Sequence, residues 1–214
     1  MCGRYGWTEA PGGLVRALGF RDRASEQRLL EKLEGLDPPL APRFNAAPTT
    51  SGLILVRDEV GDLEPRYARW GLIPHWVKDP AAFRATLFNA RSETAHEKPS
   101  FREAFKTRRC IVPVSGFYEW CIVGAGSPKQ PYWVRRRDGA PMFLGGLFAE
   151  NPRVEPAASY AILTTRPGAL LARLHDREPV RIPVPLLERW LDPGVRDAAS
   201  LSDFLEPGDP GDLE

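Results

Sequence analysis

The sequence is poor in cysteine, histidine and methionine, with three, three and two of them in 214 residues. Cys2, Cys110 and Cys121 are an odd set with no paired spacing. That argues against a disulfide framework and for a reducing compartment such as the cytoplasm. His75, His96 and His175 are scattered, and no C-x-x-C or H-x-x-x-H pair occurs. A metal centre is therefore not expected, and no motif implies any other cofactor. No uninterrupted apolar run is long enough to cross a bilayer. The N-terminus lacks the basic start, apolar stretch and small-residue cleavage site of a secretory signal. Charge of one sign is also lacking, with 29 Lys and Arg against 28 Asp and Glu. This excludes a uniformly basic nucleic-acid binder but leaves room for a local basic groove.

Proline (22) and glycine (19) are abundant and spread along the chain, which fits short elements joined by many turns. Gly13–Phe20 and Ser25–Leu36 read as surface helices, the second with Ser25 as N-cap. Gly52–Arg57 and Pro65–Gly71 read as a hairpin across the polar turn Asp58–Glu64. Phe88–Arg91 is a short strand entering a helix or turn, and Ser100–Lys106 an amphipathic helix with Phe101 and Phe105 at i,i+4. Cys110–Trp120 is strand-like, with a bend expected at Pro113 and Gly116. Tyr132–Arg137 and Pro141–Phe148 form a second hairpin around Asp138-Gly139. Ser159–Thr165 is a further strand, and Gly168–Leu174 a helical turn delivering His175. Pro185–Leu191 and Leu201–Leu205 are terminal helices. The expected organisation is one α+β domain over residues 1–206, mainly antiparallel barrel-like sheets with peripheral helices. Residues 207–214 read as an acidic disordered tail.

The chemistry begins at residue 2. Removal of Met1 leaves Cys2 with a free α-amine and a thiol on adjacent carbons. Their unperturbed pKa values are about 7.7–8.0 and about 8.5, so both nucleophiles are partly available near neutral pH. Such an aminothiol adds to an aldehyde as an imine, and the thiol then closes a thiazolidine ring. A lysine makes the first adduct but cannot trap it. By position alone, the favoured reading of Cys2 is a small residue at a frayed terminus. Asn89 and Arg91, two residues apart, share one side of a strand, although an asparagine there also suits a plain turn. Glu119 in Gly116-Phe117-Tyr118-Glu119-Trp120 is either an exposed strand glutamate or a carboxyl raised in pKa by apolar surroundings. His175 suits proton transfer or a helix C-terminus. Trp70–Pro74 and Arg43–Pro48 supply flat apolar groups near arginines, as single-stranded nucleic acid requires, or as a packed core does.

Taken in order, the motifs resemble those of the SOS-response-associated peptidase family of abasic-site sensors. They are Met1-Cys2-Gly3-Arg4, Asn45-Ala46-Ala47-Pro48, Trp70-Gly71-Leu72-Ile73-Pro74, Asn89-Ala90-Arg91-Ser92-Glu93-Thr94, Arg109-Cys110-Ile111-Val112-Pro113, Gly116–Trp120, Thr164-Thr165 and His175-Asp176-Arg177-Glu178-Pro179. The resemblance implies binding of single-stranded DNA containing abasic sites and covalent crosslinking through Cys2 after loss of Met1. It also implies a monomer acting without cofactor or membrane. By carry-over, Cys2 is the nucleophile, Asn89 holds the N-terminus or the sugar oxygen, Glu119 handles the amine proton, and His175 shuttles protons during ring opening. Arg4 and Arg91 contact phosphates, while Pro48, Trp70, Pro74 and Trp120 line the DNA path or support it. Two positions depart from the pattern: Glu178 replaces the usual methionine and Phe44 the usual tyrosine. A thiol peptidase acting through Cys2, or a non-catalytic single-strand binding module, is the alternative.

Overall fold

The computed structural model describes residues 3–124, 126, 128–208 and 210–214, so Met1 and Cys2 lie outside the described residues. In chain order the elements are β1 (Arg4–Trp7), α1 (Pro11–Leu18), α2 (Arg23–Glu34), β2 (Arg43–Ala46), β3 (Ser51–Arg57), β4 (Leu63–Trp70), β5 (Asn89–Arg91) and α3 (Ser92–Ala95). They continue with α4 (Arg102–Thr107), β6 (Arg109–Val114), β7 (Gly116–Ile122), β8 (Lys129–Val134), β9 (Met142–Glu150), β10 (Ala158–Thr165), β11 (Glu178–Pro179) and α5 (Leu187–Leu191).

Five strands close into a barrel in the order β4-β3-β6-β9-β10 and back to β4. Four of its pairings are antiparallel, and the closing β10–β4 pair is parallel, with Tyr160 opposite Trp70. β5 and β11 attach to β10. A second sheet runs β2-β1-β7-β8. The expected α+β class, with antiparallel barrel-like sheets and peripheral helices, is the architecture observed.

β3 shows why the barrel forms from this sequence. Leu53 and Leu55 point to one cluster with Leu14, Leu29, Phe105 and Trp190 of the helices, so that face is the barrel's outside. Ile54 and Val56 point to the other cluster, with Val112, Leu144 and Ile162 of the barrel and Tyr5 and Phe117 of the small sheet. A strand buried on both faces reads as a continuous apolar run rather than an alternating one. Each such side chain contributes about 1.5–3 kcal/mol when fully buried. Arg109 is buried too, and its guanidinium donates to the carbonyls of Phe105 (2.7 Å), Lys106 (3.1 Å), Trp190 (2.5 Å) and Asp192. It thereby satisfies backbone carbonyls at the ends of α4 and α5, and burial pulls its pKa down to about 10.

Three expectations are corrected. The cap of α2 is Asp22, whose carboxylate accepts from the Ser25 N–H at 2.8 Å, rather than Ser25. The segments around Asp138-Gly139 do not form a hairpin, because β8 pairs with β7 while β9 pairs with β6 and β10. The acidic tail is docked rather than disordered. Leu213 is 1% exposed in the barrel-side cluster, and Glu214 exchanges backbone hydrogen bonds with Arg135. Asp212 pairs with Arg181 at 2.7 Å, and Glu214 with Arg135 at 2.8 Å. One apolar side chain and two ion pairs offset the chain entropy that an acidic composition would otherwise leave unopposed.

Candidate active site

The small sheet brings the chain's first strand against the strand that carries Glu119. β1 runs antiparallel to β7, with Arg4 opposite Tyr118, Tyr5 opposite Phe117 and Gly6 opposite Gly116. A Cβ on Gly116 would sit 2.4 Å from the Trp133 ring, and one on Gly6 2.9 Å from it. Both positions therefore need glycine for Trp133 to lie flat across the two strands. Alternation along β7 then sends Tyr118 and Trp120 to the outer face and Phe117 and Glu119 to the inner one. Tyr118 stacks obliquely on Trp133 at 4.6 Å and lies 6.2 Å from Trp120.

Glu119 is 1% exposed. Desolvation pushes its carboxyl above the ordinary value, with the nearby Asp176 charge adding to the rise. The sequence left open an exposed or a buried carboxyl here, and the structure shows the buried one. Cys121, two residues on, lies 3.6 Å from the Arg173 carbonyl, which ties β7 to the helical turn Leu171–Arg173 that precedes His175.

His175 is half-buried, and desolvation lowers its pKa. Its Nδ1 lies 3.1 Å from the Arg177 N–H and 2.7 Å from Asp176 Oδ1. These contacts belong to different protonation states. In the neutral ring Nδ1 accepts from Arg177, and the proton sits on Nε2. In the charged ring Nδ1–H donates to Asp176. The imidazole therefore has a partner in either state, which suits a group that passes protons.

Asn89 and Arg91 lie on β5, which pairs in parallel with β10 (Asn89 opposite Ile162, Arg91 opposite Thr164). Asn89 is half-buried and Arg91 exposed at the start of α3. Arg177 binds Glu93 through two bonds of 2.6 and 2.7 Å and the Thr164 carbonyl at 2.5 Å, which fixes α3 to β10. Arg4 reaches Asn45 Oδ1 at 3.0 Å, and Pro48 sits half-buried in the turn after β2. Trp120 is half-buried on the outer face of β7.

Trp70 and Pro74 do not line a surface. Trp70 is 0% exposed, donates from Nε1 to the Phe88 carbonyl at 2.8 Å, and lies nearly parallel to the Tyr160 ring. It fills the barrel where β4 meets β10, so it supports the site from beneath and cannot stack on a base. Pro74 is buried, and its carbonyl accepts from Asn151 Nδ2 at 3.1 Å. The exposed ring in this stretch is Trp76, at 51%, edge-on to Phe83 at 6.3 Å. Its signal was present two residues beyond the motif, but sequence cannot separate a core tryptophan from a surface one. Asn151 was also missed: fully buried, it donates to Pro74 and Val77 and shapes the loop carrying Trp76. Cys2 lies outside the described residues, and no cluster of three or more His, Cys, Asp or Glu placed for a metal occurs among them.

Comparison with known proteins bears on this site. The chain matches the SOS response associated peptidase (SRAP) family over residues 1–214. It is 34% identical over 175 residues to the abasic site processing protein YoqW of Bacillus subtilis, covering 81% of this chain and 77% of that one. It is 29% identical over 240 residues to the abasic site processing protein HMCES of Xenopus tropicalis, covering 96% and 71%. A crystal structure from Bacteroides thetaiotaomicron, 23% identical, superposes with a TM-score of 0.78 over 100% of this chain and 90% of that one, which shows the fold. A phage-related protein from Bordetella bronchiseptica, 29% identical, superposes with a TM-score of 0.74 over 100% and 92%.

Proposed function

The chain belongs to the SOS response associated peptidase family, and from that premise we propose that it processes abasic sites in single-stranded DNA by forming a covalent adduct through Cys2. Glu119 carries this reading. It is a nearly fully buried carboxyl with raised proton affinity, on the strand that pairs with the chain's first strand. Such a group is suited to pass protons to and from an amine held beside it.

In the proposed sequence Met1 is lost and the α-amine of Cys2 becomes a nucleophile. His175 donates and accepts protons as the abasic deoxyribose opens to its aldehyde. The amine adds to the aldehyde carbon, Glu119 takes an amine proton and returns it to the carbinolamine hydroxyl, and water leaves to give an imine. The Cys2 sulfur then adds to the imine carbon while the nitrogen regains a proton, which closes the thiazolidine. No oxidant or metal is required. Asn89 holds the N-terminus or the sugar, Arg4 and Arg91 take flanking phosphates, and Trp120 and Pro48 border the strand, with Trp76 added from its exposure.

The deciding experiment mixes pure protein with a single strand bearing one abasic site and resolves the products on a denaturing gel. Wild type should give a denaturation-resistant adduct. Cys2→Ser should give an imine trapped by borohydride but little stable product. Undiminished stable adduct from Cys2→Ser would overturn ring closure. Binding without any adduct from wild type would reduce the protein to a single-strand binding module. A second reading, self-removal of Met1, draws on the family description and on the same Glu119–His175 region. Intact-mass measurement should show Met1 lost from wild type and kept in Glu119→Gln.

A further inference from the structure

We propose that the helical side of the barrel holds a second binding site, for a small amphipathic carboxylate, independent of the DNA chemistry. A cavity of about 320 Å3 opens there between α1, α2, the β3–β4 turn and α5. Its floor is apolar, formed by Leu18, Leu29, Leu63, Val184, Leu187 and Leu191. That floor is continuous with the helix-side core, whereas Phe88 and Leu174, the neighbours of Asn89 and His175, pack on the other cluster. Ligand pockets begin at about this size and combine an apolar lining with a few polar groups.

The polar wall identifies the missing partner. Its carboxylates are engaged or in solvent. Asp62 is held by Arg28 through bonds of 2.7 and 2.9 Å, Asp22 caps α2, and Glu188 is exposed at the rim. Arg57, at the end of β3, is different. It lines the cavity, one guanidinium nitrogen donates to the Gly61 carbonyl at 2.7 Å, and it forms no ion pair among the described residues. A ligand carboxylate would supply that counter-charge and make a charge-assisted bond with the guanidinium. At the ~30 Å3 that a water-sized group occupies in liquid, the cavity takes about ten heavy atoms. An apolar body of that length with one terminal carboxylate matches both the floor and the wall.

Octanoate is a suitable probe, titrated into the intact protein by calorimetry and by amide NMR. Saturable binding in the micromolar-to-millimolar range is expected, with shifts confined to α1, α2, α5 and the β3–β4 turn. Octylamine and methyl octanoate should bind at least tenfold more weakly. Arg57→Gln should lose at least tenfold in octanoate affinity while its circular dichroism and abasic-site crosslinking stay at wild-type level. Val184→Trp, which fills the cavity from its rim, should also abolish binding. No saturable binding, equal binding of octylamine, undiminished binding by Arg57→Gln, or shifts scattered away from the cavity would each overturn the proposal. Crosslinking is read separately, so failure here leaves the reading of Cys2 and Glu119 untouched.

Discussion

Glu119 and Glu178 are 1% and 2% exposed, and burial raises the pKa of both, yet their surroundings differ. Glu178 lies on β11, and its Oε2 accepts the Gly168 N–H at 2.8 Å. Gly168 begins the turn that leads to His175, and its carbonyl accepts from the Ala172 N–H at 2.9 Å. Arg181, which attracts the Glu178 charge, is also clamped to Asp212 of the C-terminal segment. Glu178 is thus a fastener between backbone segments, standing where the family's pattern has methionine. Glu119 instead lies on the strand beside β1 and near the turn bearing His175. Burial alone does not make a carboxyl chemical; access to a reacting group does.

The largest expected effect tests that distinction directly. General acid–base groups contribute about 10²–10⁴-fold in rate. Glu119→Gln should therefore slow crosslinking at least 100-fold with DNA affinity unchanged, while Glu178→Gln should change the rate less than about threefold. Timed gels with matched binding titrations measure both, and equal losses would erase the difference between the two residues. Supplying the substrate with its aldehyde already open should partly rescue His175→Ala but not Glu119→Gln. A smaller effect concerns the segment next to Glu178. Leu213→Ala should destabilise the fold by about 2–5 kcal/mol, as for other buried leucines, measured by urea unfolding. A change under about 0.5 kcal/mol would mean that the docked tail adds nothing.

The smallest effect is a pH slope. Because the folded-state pKa of Glu178 lies above its ordinary 4.5, the folded chain keeps a proton that the unfolded chain has released. Its contribution to stability is therefore present below about pH 4.5 and lost as pH rises through the raised value. A glutamine side chain there would mimic the protonated form, so Glu178→Gln should gain stability relative to wild type between pH 4 and pH 8. Thermal melts across that range would show it, and a pH-independent difference would contradict the assignment. The proposed phosphate contacts have their own check: affinity for a single strand should fall steeply with salt by counterion release, and a flat response would remove Arg4 and Arg91 from the interface.

Much of the fold was legible in local pattern. The β3–β4 hairpin, the strand entering α3 and the short 3-10 turn before His175 follow from apolar runs separated by polar turns. The second hairpin failed for a nonlocal reason: Arg135 and Arg137 after β8 exchange hydrogen bonds with the C-terminal segment rather than with β9. The tail failed in the same way, since its carboxylates count as solvated until Arg135 and Arg181 are found opposite them. Trp70 opens one motif and Trp76 follows two residues after its end, and only the closure of β4 onto β10 separates the buried ring from the exposed one.

By itself the sequence determined which residues are candidates for the chemistry, because a cysteine at position 2, a carboxyl among aromatics and a histidine beside an aspartate are covalent and local facts. It also determined the strand-rich α+β class, through apolar patterning and turn residues. The tertiary structure alone decided that both carboxyls are buried and that Glu178 ties backbone segments together, which tryptophan faces solvent, and where the tail lies. Those depend on desolvation and on partners more than 30 residues away, and neither is encoded in any one stretch of chain.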